Sequence, residues 1–144
     1  MPKVVASASE MIAGMSPEKR PGRFAYFSTE DPALGEALIR DALCLFRERE
    51  GLSLILPLEI VERVLADRPA QAVPQIVPMC CITLNVYSSL EGVGLTAAVS
   101  GALAAQGIPC NMVAACHHDH VFVPEEHCDA ALRVLAGLQE GSGA

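Results

Sequence analysis

Positive charge is scarce in this sequence. It carries 10 lysines and arginines against 17 aspartates and glutamates, a net charge of −7. Phosphate recognition needs clustered Lys and Arg, so the charge argues against nucleic acid or anionic membrane as a main partner, and neither is expected. No C-x-x-C pair occurs among Cys44, Cys80, Cys81, Cys110, Cys116 and Cys128, which argues against a zinc site built from thiolates. No apolar run approaches the ~20 residues of a membrane-spanning helix. The opening residues, Met1-Pro2-Lys3-Val4-Val5-Ala6-Ser7, lack the apolar core of a secretory signal. The expected location is therefore cytoplasmic, with all 6 cysteines as free thiols. Catalytic fingerprints are also missing. There is no G-x-S-x-G and no P-loop, and Gly92-Val93-Gly94 lacks the third glycine of a dinucleotide turn.

What is present is a chain of 144 residues, 51% hydrophobic, enough to bury a core in one domain or in two small units. The second half has the clearest pattern. In "CCITLNVYS", Ile82, Leu84 and Val86 alternate with Thr83, Asn85 and Tyr87, which predicts a strand with one buried face. The glycine-rich turn "SLEGVG" follows. "LTAAVSGALAAQG" then places Leu95, Val99, Ala102 and Leu103 on one helical stripe that Gly107 ends. "IPCNMVAA" and "HVFV" predict two more strands, with His117-His118-Asp119 as the hairpin between them. Pro124 opens a last helix buried through Cys128, Ala131, Leu132, Leu135 and Leu138, and residues 141–144 read as a tail.

The first half repeats this order. "RFAYFS" predicts a strand, Asp31-Pro32 caps a helix running to about Arg40, "LCLFRERE" and "LSLILP" flank Gly51 as a hairpin, and Pro57 opens another helix. Both halves run from a strand through proline into a helix bearing Arg-Val-Leu-Ala. Residues 68–78, with three prolines, read as a linker. Residues 9–15 predict one short helical turn. The fold class expected is α+β: two ferredoxin-like βαββαβ-type units, 1–67 and 79–140, each an antiparallel sheet with helices on one face. The second unit lacks a fourth strand before its tail. That strand is to be sought in the first half, in residues 2–6, or in a partner chain.

With this order in place, "SSLEGVGLTAAVSGALAAQGIPCNMVAACHHDHVFVP" resembles an ACT domain, a small-molecule-sensing module of amino-acid metabolism. "VGLTAAVSGALAAQGI" is similar to the regulatory domains of aspartate kinases. The run His118-Asp119-His120 followed, one residue on, by Phe122-Val123-Pro124, and "MSPEKRPGRFAYFS", resemble small bacterial proteins built of tandem ACT-like units. The usual ACT loop carries Asp or Asn and Pro-Gly, whereas this one has no proline. The resemblance implies a non-enzymatic sensor or regulatory protein that binds a small molecule, an amino acid above all, and works as a homo-oligomer, with no cofactor and no metal. Its site would comprise Ser88, Ser89, Glu91, Gly92, Val93, Gly94, Leu95 and Thr96, with Asn111 and Met112 from the next strand.

The chemistry suits that assignment. Gly92 and Gly94 let the backbone come close to a guest, and the first N–H groups of a helix attract a carboxylate. The plainer alternative is that glycines and serines merely make the turn. His118, Asp119 and His120 are secondary candidates for a ligand or subunit contact. A metal site across Cys116–His120 matches no zinc-binding spacing, and a hairpin with solvated histidines is preferred. The competing functions are a ligand-free oligomerisation module and, behind it, a metal-binding protein.

Overall fold

The computed structural model describes residues 2–68 and 75–142. The chain packs as two compact units. One combines Met1–Pro21 with Cys80–Ala144, and the other is Gly22–Met79. The second unit is thus inserted into the first, and the sequential division expected above is displaced at its N-terminal end. The reason is packing: Met11 and Met15 are fully buried in one cluster with Ile82, Leu84, Leu103 and Leu135.

In the inserted unit, β2 (Phe24–Thr29) pairs antiparallel with β4 (Gly51–Pro57), which pairs antiparallel with β3 (Cys44–Glu48). Helix α2 (Pro32–Ile39) starts as expected, with the Asp31 side chain accepting from the Ala33 N–H and Pro32 in its first turn. Helix α3 (Leu58–Ala66) buries Leu58, Val61 and Leu65. These join Ala25, Phe27, Leu54 and Leu56 in a separate core. Arg47 and Glu48 lie exposed on β3, where Glu48 accepts a hydrogen bond from the Ser53 hydroxyl.

The other unit opens with α1 (Ala8–Ala13) and β1 (Pro17–Lys19). It continues through β5 (Met79–Leu84), α4 (Leu95–Ala105), β6 (Asn111–Ala114), β7 (Asp119–Pro124) and α5 (Cys128–Ser142). Strand β5 lies beside β7, and β7 pairs antiparallel with β6. The missing fourth strand is β1: Pro17 faces Leu84 and Lys19 faces Ile82, antiparallel. It comes from the first half, not from residues 2–6, although Val5 adds one isolated parallel bridge to Ser88. The buried face of β5 and β7 carries Ile82, Leu84, Val121 and Val123, covered by Leu95, Val99 and Leu103 of α4 and Ala131 and Leu135 of α5.

Several local expectations change. The 115–118 turn is closed by the Ala115 N–H donating to the His118 carbonyl, so Asp119 belongs to the strand and not to the turn. Strand β6 starts only at Asn111, because Pro109 has no N–H for a ladder. Pro124 ends β7 and leads into a 3-10 turn, Glu125–His127, before α5. Helix α5 runs on to Ser142, into the expected tail. Of the expected linker, residues 69–74 lie outside the described residues, while Ile76 packs on the inserted unit's core. The cysteines are not all free: Cys80 and Cys128 form a disulfide between β5 and α5, leaving Cys44, Cys81, Cys110 and Cys116 as thiols.

Candidate functional site

Strand β5 leads through residues 85–94 into α4, and this connection lines a cavity of about 130 Å³. Ser88, Ser89, Gly92, Gly94, Leu95 and Thr96 contribute from the loop and the helix start. The loop holds itself in shape. The Ser89 hydroxyl accepts from the Glu91 N–H at 3.1 Å, and the Ser89 carbonyl accepts from the Gly92 N–H at 2.9 Å. Gly94 sits at φ +115°, a conformation that side chains avoid, and provides no side-chain cap for α4. The first N–H groups of this helix therefore turn their partial positive charge toward the loop.

Of the other residues expected here, Glu91 and Val93 are exposed at the loop's outer side, Val93 at 80%. Neither lines the cavity. Asn111 and Met112 do not line it either: the Asn111 amide donates to the Phe122 carbonyl, and Met112 packs against the core. The secondary triplet separates. Asp119 is 9% exposed and lines the cavity, where it is hydrogen-bonded with Ser88. His118 places Nδ1 3.2 Å from the Val86 carbonyl and its ring 4.7 Å from Tyr87. His120, on the opposite face of β7, places Nδ1 3.0 Å from the Thr83 hydroxyl. Among the described residues, no three His, Cys, Asp or Glu side chains converge on a point that could hold a metal ion.

Three further residues line the cavity and were missed from sequence: Met11, Leu90 and Ala114. Only Met11 carried a signal. It lies in the apolar stretch read as a helical turn, with nothing to say what it packs on.

Burial holds the Asp119 carboxyl above the usual carboxylate range, against the lowering pull of His120, the Ser88 hydrogen bond and His118. Burial also holds His120 below the usual imidazole value, helped by Arg20 and His118 and opposed by Asp119. The two shifts act in different pH windows. The buried acid costs stability as pH rises above its unfolded value of ~3.9. The buried imidazole costs stability as pH falls below ~6.5, where the unfolded chain takes up a proton that the folded chain resists. His120→Asn keeps a polar partner for Thr83, removes the second effect and frees Asp119 from the lowering pull of His120, which acts in the same direction on stability as pH falls. Its melting temperature is expected to fall less than that of the wild type between pH 7 and pH 5. Equal falls would show that His120 carries no such penalty.

A larger cavity lies in the inserted unit, about 400 Å³ between the start of α2, Arg47 and Gly51. Two of its polar side chains are taken up by backbone contacts: Thr29 Oγ1 accepts from the Asp31 N–H, and Asp31 caps α2. The smaller cavity is the better candidate, because its helix start has no side-chain cap and its carboxylate is buried.

This arrangement is a glycine-bearing strand-to-helix loop on a ferredoxin-like α+β unit. Two family models agree, both described as ACT domain, one matching residues 5–66 and the other residues 76–137. The chain belongs to the ACT-domain family. A Vibrio cholerae protein of unknown function, named as a possible transport protein, is 36% identical with a TM-score of 0.74, over 89% of this chain and 92% of that one. An Agrobacterium tumefaciens protein is 18% identical, TM-score 0.56, over 81% of each chain. The ligand-free regulatory subunit of Thermus thermophilus aspartate kinase is 12% identical, TM-score 0.59, over 87% of this chain and 97% of that one. The last two show likeness of fold. No curated protein matches the sequence. ACT domains are typically regulatory modules for small ligands and are generally non-catalytic.

Proposed function

We propose that this protein is a non-enzymatic amino-acid sensor whose ligand occupies the cavity between the Ser88–Thr96 loop, α4 and Asp119. One observation carries the reading: a buried carboxylate and an uncapped helix start border the same small cavity. A free amino acid has matching ends. Its carboxylate suits the first N–H groups of α4, and its ammonium suits Asp119. The hydroxyls of Ser88 and Thr96 add hydrogen bonds. A space of about 130 Å³ is small beside the ~300 Å³ lower range of drug-sized pockets, which favours a compact guest.

The site supplies no nucleophile–base pair. Cys116 and His117 are both exposed beyond β6, and neither lines the cavity. The protein acts as a homo-oligomer in this reading. Leu90 is 73% exposed and Val93 80% exposed, apolar side chains at the outer edge of the loop that a second copy would cover. Those same two residues favour the competing reading, an assembly module without ligand.

The reading places the protein in the cytoplasm. Among the described residues no helix is long and apolar enough to cross a membrane. Disulfides are rare in that compartment, so a Cys80–Cys128 bridge would persist there through burial, which shields both sulfurs from reductant.

Thermal melting against the twenty amino acids, each at millimolar concentration, tests the function. A ligand at 100 times its Kd stabilises by ~2.7 kcal/mol. Asp119→Ala is expected to weaken the amino acid that gives this shift by roughly thirtyfold or more, since it removes one partner of a buried charge pair. An undiminished shift in Asp119→Ala would move the ammonium elsewhere. No shift with any amino acid would leave the assembly reading in place.

A further inference from the structure

The roof of the cavity is not made by the loop. It comes from the N-terminal segment. Met11 of α1 lines the cavity and is 1% exposed. A Cβ placed on Gly92 would lie 3.0 Å from the Met11 sulfur, and one placed on Gly94 would lie 2.7 Å from the Ala8 Cβ. The two glycines of the loop are therefore the surface on which α1 rests. The segment is fastened to the loop's own approach: the Val5 N–H donates to the Tyr87 carbonyl and the Ser89 N–H donates to the Val5 carbonyl, both at 2.9 Å. Further along, the Gln139 amide donates to the Ala13 carbonyl at 2.8 Å.

The segment has a well-marked end. Gly14 terminates α1, and Ser16 takes φ +38°, in the left-handed region. Beyond that point the chain is held by the sheet. The Met15 carbonyl accepts from the Asn85 N–H, the Asn85 amide donates to the Ser16 carbonyl, and Met15 is fully buried. Before it lies a helix of 6 residues, too short to be stable alone, capped by Ser7 and carrying an exposed Lys3–Glu10 ion pair. Such an element takes its stability from what it covers.

We propose that residues 3–14 are a strap that closes over the cavity, turning about residues 14–16, and that Met11 sets the height of the space beneath it. The proposal rests on the amino-acid reading for the identity of the guest. A guest beneath the strap makes contact with Met11 and holds the strap down. Because both fastening hydrogen bonds lie at the start of the loop, a shift in the loop is passed directly to the segment.

Amide hydrogen exchange of the full chain without ligand tests the strap independently of any guest. Val5 and Ser89 are expected to exchange together, at least about a hundredfold faster than Ile82 and Leu84 in β5, because local opening costs less than unfolding. Met11→Ala is expected to speed Val5 and Ser89 by roughly thirtyfold or more. Exchange of all four wild-type amides at one rate, or no acceleration of Val5 and Ser89 by Met11→Ala, would make α1 a fixed part of the core and overturn the strap. The same variants are then melted with the twenty amino acids. If Val5 and Ser89 open together but no amino acid shifts the melt, the strap stands and the sensor reading falls. If an amino acid binds while exchange stays uniform, the sensor reading stands and the strap falls.

Discussion

Reducing the Cys80–Cys128 disulfide is expected to be the most destabilising single chemical change to this chain. The bridge closes a loop between residues 48 apart, and chain-entropy bookkeeping assigns such a loop about 4 kcal/mol. In a chain of this length that corresponds to roughly 10 °C in melting midpoint. The native side of the balance changes little. Cys80 and Cys128 are 1% and 4% exposed, packed among aliphatic side chains of the same core, and two thiols serve there as small hydrophobes. The loss is therefore entropic, arising in the unfolded chain. Melting with and without reductant measures it, and a Cys80→Ala, Cys128→Ala double variant should melt near the reduced wild type. Thiol titration of the unfolded chain accompanies the melt: four reactive thiols with the bridge intact and six after reduction. Six thiols before any reductant, with a midpoint insensitive to it, would show that the pair is merely two neighbouring thiols. Because both sulfurs are buried, the folded protein should be reduced slowly, at the rate of local opening.

The disulfide also marks where sequence reasoning stopped. Cys80 and Cys128 lie on different elements with no spacing motif, and only the packing of α5 onto β5 brings them together. By contrast, the buried face of β5 was legible from alternation alone. The stripe of α4 was legible from helical spacing, since Leu95, Val99 and Leu103 are the residues it buries. The loop was legible from its glycines. Strand β1 was not: Pro17-Glu18-Lys19 has no apolar alternation, and its place is fixed by backbone pairing with residues more than sixty positions away. Asp119 was read as a turn residue because Asp is common in turns. The hairpin closes two residues earlier than expected, which makes Asp119 a strand residue facing the cavity. Asn111 and Met112 were carried to the site by resemblance, and β6 places neither on the cavity. Local patterns thus predicted the elements other than β1. Long-range register decided which side chains meet.

Gly94→Ala is the substitution expected to show most directly how the site is built. Two costs combine. The backbone stays at φ +115°, where an alanine is strained, and the new methyl lies 2.7 Å from the Ala8 Cβ. Together they should lower stability by about 3 kcal/mol. Gly101→Ala, seven residues on in the same helix, is the natural control. Nothing lies within 4 Å of its added methyl, so the variant should gain ~1 kcal/mol from helix propensity. The two costs at Gly94 can be separated. Ala8→Gly removes the clash but leaves the backbone strain, so the double variant should recover only the part due to contact with α1. Chemical denaturation of the four chains closes the cycle. A coupling energy near zero would mean that α1 does not rest on Gly94, and the roof over the cavity would then be Met11 alone. A coupling of about 1 kcal/mol or more would mean that loop and N-terminal helix share one packed surface. In that case Val5 and Ser89 should exchange faster in Gly94→Ala and return toward wild-type rates when Ala8 is also glycine.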